Sequence, residues 1–199
     1  MQLHNLFPTP VGFFETDLID ETLLDFVNQL EQRANQGNTT STDSYVLNNP
    51  EFEAIKSFID SSLNEYLEQT INPKEPIDLT ITQSWINYSE PGQFHHKHAH
   101  PNSLVSGVLY LTSSSEDKIY FYRGGYQQLK IPPLAWNMYN SESWWFEANS
   151  GKLVLFPSYL EHMVPQVAPP GPRISLSFNT FPLGLLGSEQ ELTQLDLRR

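Results

Sequence analysis

The spacing of the apolar residues changes near residue 78, from a period of about 3.6 to a period of 2, and this change constrains the fold more than any other feature. The later part alternates apolar and polar residues in short segments that clusters of Pro and Gly separate. The pattern predicts strands over residues 80–88, 105–112, 118–122, 152–156, 163–167 and 173–181. Many short strands without helices between them indicate a mainly β protein, an antiparallel sandwich or jelly roll.

Before residue 78 the periodicity predicts two helices. Asp20 is placed to cap the first helix, which we expect to end before Gly37. The segment Asn49-Pro50-Glu51 has the residues that begin a second helix, and the polar segment 38–44 predicts a mobile loop. Within one domain of 199 residues, we therefore expect a helical buttress over residues 1–72, a jelly-roll core over 78–182 and a polar tail over 183–199.

Charge and cysteine content exclude several classes of function. The chain has 11 Lys and Arg against 23 Asp and Glu, a net charge of −12, which disfavours nucleic acid and anionic membranes as partners. The absence of Cys excludes disulfides, zinc–thiolate sites, iron–sulfur clusters and thiol nucleophiles, so any metal must be held by His and oxygen ligands. With no apolar run of membrane-spanning length and no signal-peptide pattern, we expect a cytoplasmic protein.

Four of the six histidines fall within six residues, at positions 95, 96, 98 and 100. Alternate residues of a strand share a face, so either His98 with His100 or His96 with His98 can chelate one divalent cation. A further ligand must come from elsewhere, and His162 at the start of a late strand is better placed than His4. The pattern predicts a metal site, and zinc is one candidate because three His and a water form many catalytic zinc centres.

Arg173 begins a predicted strand with two unlike faces. Arg173, Ser175, Ser177 and Asn179 share one face, and apolar residues occupy the other. Inside a barrel, a guanidinium needs an anion, and a ligand carboxylate held by Arg173 and the Ser175 hydroxyl would supply it. Alternatively, the polar face is exposed to solvent and Arg173 pairs with an acid of the chain.

Together these residues resemble a known family. Tyr88, Gly92, His98-Ala-His100, His162 and Arg173 follow the order and approximate spacing of the iron(II)- and 2-oxoglutarate-dependent oxygenases, in the prolyl-4-hydroxylase-like branch. An uncharacterised group of 2OG-Fe(II) oxygenases is similar over nearly the whole chain. The similar segments are LFPTP at 6–10, HAHP at 98–101, SGVLY at 106–110, FPSYLEH at 156–162 and RISLSFN at 173–179.

The resemblance implies a double-stranded β-helix with Fe(II) at one open end. By similarity, His98 and His162 are metal ligands, together with His100, which stands where most members carry Asp. The common set of two His and one carboxylate leaves three positions for cosubstrate and O2. Neutral imidazole in place of the carboxylate leaves the iron one unit more positive. This favours binding of anionic 2-oxoglutarate and disfavours oxidised iron, so the ligand set by itself predicts neither an active nor an inactive enzyme.

The resemblance also implies 2-oxoglutarate as cosubstrate. Arg173, assisted by Ser175, is expected to bind its distal carboxylate, and Tyr88 and Tyr110 are expected to line its pocket. The implied reaction hydroxylates a small molecule or a peptide with O2 and converts 2-oxoglutarate to succinate. Two alternatives remain: a cupin-like three-His metalloenzyme that uses no 2-oxoglutarate, and a non-catalytic jelly-roll module that holds zinc or nickel.

Residues 124–150 are long for a connection between strands and are rich in aromatic residues. Long loops often hold function, so we predict a lid or a substrate wall, with packing on the barrel exterior as the alternative. The residues concerned are Tyr126, Trp136, Tyr139, Trp144 and Trp145. A jelly roll with exposed sheet edges also favours a homodimer, although no interface can be assigned.

Overall fold

Two β-sheets pack face to face around a small core in the middle of the protein. The computed structural model describes residues 1–125, 129 and 131–198. Within these ranges the helices are α1 (Glu21–Gln29) and α2 (Glu53–Thr70). The strands are β1 (Gly12–Glu15), β2 (Gln32–Ala34), β3 (Thr39–Ser41), β4 (Ile77–Ser89), β5 (His95–His98), β6 (Val105–Thr112), β7 (Lys118–Tyr122), β8 (Ser143–Glu147), β9 (Lys152–Pro157), β10 (His162–Val164), β11 (Arg173–Leu186) and β12 (Leu195–Asp196).

The larger sheet has the strand order β1-β9-β6-β11-β4-β3-β2, with β12 added to β11, and the smaller sheet has the order β5-β10-β7-β8. These strands pair in antiparallel fashion throughout the described ranges. Val108, Val154 and Phe156 of the larger sheet pack with Ile119 and Phe121 of the smaller one. The predicted mainly β fold, a double-stranded β-helix of the jelly-roll class, is confirmed.

The two helices cover the outer face of the larger sheet, as the apolar periodicity predicts. Asp20 caps α1 by accepting a hydrogen bond from the backbone N–H of Leu23 at 2.8 Å. A 3-10 turn that begins at Pro50 leads into α2. The apolar stripes of both helices pack on alternate residues of the central strands, and this buried core includes Val27, Ile55, Ile59, Leu63, Ile86, Leu109, Leu176 and Phe178.

Three expectations about the polar segments were wrong. The first helix ends at Gln29, and Ala34, which the apolar periodicity assigns to the buried face of this helix, lies in β2 instead. The expected mobile loop contains β3, which pairs with β4, and Ser41 is fully buried with its hydroxyl accepting from the N–H of Ile86. The expected tail contains the end of β11 and its partner β12. Backbone pairing of polar residues leaves no signal in an apolar pattern.

Among the residues described, neither helix combines the length and the apolar composition that crossing a membrane requires.

Candidate metal centre and adjoining polar pocket

Three histidines from two distant segments of the chain meet where the smaller sheet faces the larger one. His98 ends β5 directly opposite His162, which begins β10. His100 lies in the following turn, where its backbone N–H donates to the carbonyl of Ser158 at 2.9 Å. One ligand nitrogen of each of the three residues lies within 4.8 Å of the others. The structure thus brings together the three histidines that the resemblance implies.

Backbone carbonyls orient two of these rings. Nδ1 of His98 lies 2.7 Å from the carbonyl oxygen of His96, and Nδ1 of His162 lies 3.0 Å from that of Leu160. With the proton on Nδ1, each ring donates to its carbonyl and keeps the lone pair on Nε2. This is the tautomer in which histidine binds a metal through Nε2, with the other nitrogen fixed by an outer hydrogen bond.

Burial keeps the imidazoles neutral. It lowers the pKa of His162 to about 3 and that of His100 to about 4, and it also lowers the pKa of His98. Charge on the neighbouring imidazoles lowers the pKa values of His162 and His100 further. A divalent cation requires neutral imidazole, so the three residues fit such a metal. Within the described ranges, the groups with this spacing contain only histidine, so no carboxylate lies among the candidate ligands.

Arg173 is buried and already has an anionic partner. Its Nη1 donates to Oδ1 of Asp117 at 3.0 Å, and the two side chains are only 3% and 2% exposed. The other carboxylate oxygen of Asp117 accepts from the backbone N–H of Ser114 at 2.7 Å. The alternative prediction that Arg173 pairs with an acid of the chain is correct. The prediction that this strand face is exposed to solvent is wrong. Sequence reasoning missed Asp117, because it lies in a turn 56 residues away.

Two unpartnered polar atoms lie on the same inner surface. Tyr110, 1% exposed, has a buried hydroxyl without a hydrogen-bond partner, and it stands opposite Ser175 in the β6–β11 register. Burial raises the pKa of Tyr110 well above its usual range, and the positive charge of Arg173 partly offsets this rise. The side-chain oxygen of Asn87 is also unpartnered. Each such group costs about 1–3 kcal/mol, which points to a polar ligand as its partner.

The expectation that Tyr88 lines the cosubstrate pocket is wrong. Tyr88 stands opposite Ile174, on the outer face of the larger sheet, and belongs to the core beneath the helices. Its hydroxyl donates to the carbonyl of Val27 at 2.6 Å. Because successive strand residues point to opposite faces, Asn87 rather than Tyr88 lies on the inner surface beside Ser175 and Ser177.

The segment expected to form a lid contains β8 at the edge of the smaller sheet. Trp136, Trp144 and Trp145 are 66%, 36% and 42% exposed and line a cavity of about 660 Å³. Lys118 lies 4.2 Å from the ring centroid of Trp145. Tyr126 is outside the described residues. That the three tryptophans contact the substrate stays a prediction. Sequence reasoning did not identify Trp85 as a neighbour of the histidines, although its ring centroid lies 6.0 Å from that of His100.

Comparison with known proteins agrees with this geometry. Residues 83–179 match the family described as "Putative 2OG-Fe(II) oxygenase", and this segment contains all the residues of the centre described above. The resemblance noted from the sequence motifs is confirmed. A search of curated proteins found no match for this chain.

Solved structures match over most of the chain. An oxidoreductase of the 2OG-Fe(II) oxygenase family from Burkholderia pseudomallei has 14% identity and a TM-score of 0.59, over 86% of this chain and 84% of that one. HygX from Streptomyces hygroscopicus, with nickel, 2-oxoglutarate and hygromycin B bound, has 14% identity and a TM-score of 0.60, over 87% and 83%. A prolyl-4-hydroxylase from Pseudomonas putida has 14% identity and a TM-score of 0.58, over 87% and 93%. The chain therefore has the fold of the 2OG-Fe(II) oxygenases.

Proposed function

We propose that the protein is an Fe(II)- and 2-oxoglutarate-dependent dioxygenase that hydroxylates a substrate and converts 2-oxoglutarate to succinate. The observation that carries this proposal is the meeting of three neutral imidazoles in the fold of the 2OG-Fe(II) oxygenases. The buried cation of Arg173 and the unpartnered hydroxyl of Tyr110 lie on the inner surface of the same fold and support it. HygX, which has the same fold, binds nickel and 2-oxoglutarate.

His98, His100 and His162 would hold the metal. The carbonyls of His96 and Leu160 keep two of the rings oriented before the ion arrives, which reduces the entropy lost on binding. When bound, Fe(II) supplies the activation of O2, and three protein ligands leave positions open for cosubstrate and O2. The ring of Phe156, with its centroid 4.6 Å from that of His162, excludes water from this side of the centre.

Arg173, Ser175 and Tyr110 would bind the distal carboxylate of 2-oxoglutarate. A guanidinium has five N–H donors, so Arg173 can donate to a second carboxylate while its Nη1 donates to Asp117. The hydroxyl of Tyr110 gains the partner that it lacks. Asp117 thus acts as a positioning residue, because it fixes the guanidinium before the cosubstrate binds.

The substrate would be a small molecule or a peptide. Both kinds are consistent with the fold, since HygX binds hygromycin B and another similar structure is a prolyl-4-hydroxylase. The exposed tryptophans at 136, 144 and 145 are the candidate contacts for it.

The Asp117–Arg173 pair favours a second candidate function. Because the buried guanidinium already has an anion, the protein could be a cupin-like three-His metalloenzyme that uses no 2-oxoglutarate.

Anaerobic reconstitution separates the two candidates. The protein is loaded with Fe(II), 2-oxoglutarate is added, and a visible charge-transfer band is sought before O2 is admitted and succinate is measured. We expect a band that depends on 2-oxoglutarate, followed by succinate. Bound iron with neither band nor succinate would reject the leading proposal in favour of the second candidate.

Two variants sharpen the experiment. Arg173→Ala should raise the 2-oxoglutarate concentration needed for the band at least tenfold and leave iron content unchanged; unchanged affinity for 2-oxoglutarate would contradict the carboxylate role.

His100→Asp restores the common ligand set and should retain iron and the band. Loss of iron in His100→Asp would mean that position 100 is not equivalent to the usual carboxylate.

A further inference from the structure

A second group of three histidines adjoins the proposed centre. Ligand nitrogens of His95, His96 and His98 also lie within 4.8 Å of one another. The rings of His95 and His98 stack with centroids 4.6 Å apart and planes 15° apart. His98 therefore belongs to both groups, whereas the side chains of His95 and His96 are not among the proposed ligands of the first centre.

A bulge in β5 brings these rings together. His98 pairs with His162 and His95 pairs with Val164, so β5 advances one residue more than β10 between the two pairs. A bulge of this kind turns side chains away from regular alternation. As a result, the rings of the consecutive residues His95 and His96 come within 5.3 Å, although a regular strand would point them to opposite faces.

One atom of this group lacks a partner. Nδ1 of His96 is buried and makes no hydrogen bond. A buried polar nitrogen without a partner is costly, and a cation bound to this ring through Nδ1 would give it one. The atom thus points to a ligand independently of the spacing of the rings.

We propose that His95, His96 and His98 form a second position for the divalent cation, occupied in alternation with the first. Nδ1 of His98 is held by the carbonyl of His96 at 2.7 Å, which leaves this ring one nitrogen for one ion at a time. This inference rests on the proposed metal centre, because both positions use His98.

The second position would capture the ion before it reaches the first. His95, His96 and His98 are all half-buried, as is His100 of the first position, whereas the third residue of the first position, His162, is only 3% exposed. An ion that arrives from solvent can bind the half-buried group and then exchange His95 and His96 for His100 and His162, with His98 as the ligand that it keeps throughout.

Co²⁺ tests this proposal without any enzymatic turnover. Titration calorimetry gives the stoichiometry, and the visible absorption of Co²⁺ reports its ligands. We expect the unmodified protein to bind one equivalent. The double variant His100→Ala/His162→Ala should still bind one equivalent, at least tenfold more weakly and with a shifted spectrum, and the further changes His95→Ala and His96→Ala should abolish binding.

Kinetics test the capture role. His95→Ala/His96→Ala should keep one equivalent at equilibrium but bind Co²⁺ at least fivefold more slowly in stopped-flow absorption. His4→Ala is the matched control, since His4 is exposed and belongs to neither group, and its rate should match that of the unmodified protein. An unchanged rate in the double variant would reject capture through this position.

Other outcomes separate this inference from the proposed function. If His100→Ala/His162→Ala binds no Co²⁺ while the unmodified protein does, the second position is rejected and the proposed centre stands. Two equivalents in the unmodified protein would reject alternation. No binding to the unmodified protein would reject both proposals. Circular dichroism checks the fold of each variant, and the His→Gln versions serve where an Ala variant does not fold.

Discussion

Over residues 173–178, both faces of β11 are buried, yet they are made of unlike residues. On the outer face, Ile174, Leu176 and Phe178 pack under the helices. On the inner face, Arg173 and Ser175 lie beside Asp117 and Tyr110. The outer face gains stability from apolar burial, whereas the inner face leaves polar groups unpaired. Burial alone therefore does not distinguish a structural surface from a functional one, but the pairing of polar atoms does.

Packing differs as sharply as composition. On the outer face, the ring of Phe178 lies so close to Gly107 that a Cβ atom there would come within 2.2 Å of it, so only glycine fits. At the end of the inner face near Asn179, the polar side chains have hydrogen-bond partners. The hydroxyl of Ser106 donates to Oδ1 of Asn179 at 2.8 Å and lies 2.8 Å from the hydroxyl of Ser158. The unpaired oxygens of Tyr110 and Asn87 lie toward the Arg173 end. The functional surface is thus only part of the inner face.

The largest effect on stability is expected on the outer face. Phe178→Ala should lower the free energy of unfolding by about 3–5 kcal/mol, because it leaves a cavity in a fully buried site. Metal affinity should change less than about twofold. Urea denaturation and Co²⁺ titration measure the two quantities, and Phe181→Ala, which is 39% exposed on the same strand, is the control. A large loss of metal affinity in Phe178→Ala would show that the two faces are not independent.

On the inner face, Asp117→Ala should lower the free energy of unfolding by about 3 kcal/mol, because Arg173 is left as a buried cation without its anion. Addition of 2-oxoglutarate should raise the Tm of this variant less than that of the unmodified protein, since Asp117 no longer fixes the guanidinium before the cosubstrate binds. Thermal denaturation with and without 2-oxoglutarate measures this. Glu116→Ala, an exposed neighbour, should show neither effect.

Bound metal should stabilise the protein only through the two groups of histidines that share His98. At about 100 times its Kd, Co²⁺ should raise the free energy of unfolding by about 2.7 kcal/mol, because it binds only the folded chain, and a chelator should reverse the gain. His98→Ala should lose this stabilisation, since His98 is shared by both groups of histidines. Stabilisation that persists in His98→Ala would place the ion elsewhere.

The smallest effects compare two buried tyrosines on opposite faces. Tyr110→Phe should weaken 2-oxoglutarate binding about tenfold without loss of stability, because its hydroxyl has no partner in the protein. Tyr88→Phe should lower the free energy of unfolding by about 1 kcal/mol, through loss of the bond to Val27, and leave 2-oxoglutarate affinity unchanged. Denaturation measures the free energy of unfolding, and the charge-transfer titration measures 2-oxoglutarate affinity. A loss of stability in Tyr110→Phe together with weaker 2-oxoglutarate binding in Tyr88→Phe would contradict the assignment of the two tyrosines to their faces.

Local pattern accounts for much of the fold. The period of 2 located β6 and β7 with the bounds that the structure has, and the cap at Asp20 located the start of α1. It failed for β3 and β12, whose residues are polar and are held by backbone pairing. The resemblance to the oxygenase family failed for Tyr88, because a shift of one residue along a strand moves a side chain to the opposite face.

The sequence by itself determined that a metal would need histidine ligands, which histidines were available and that Arg173 heads a polar strand face. Only the tertiary structure decided that Asp117 meets Arg173, that Tyr110 is the inward tyrosine and that a bulge turns His95 towards His98. The physical reason is that side-chain periodicity depends on neighbours in the chain. Contacts such as that of Asp117 with Arg173, 56 residues apart, depend instead on strand register and on how the two sheets close.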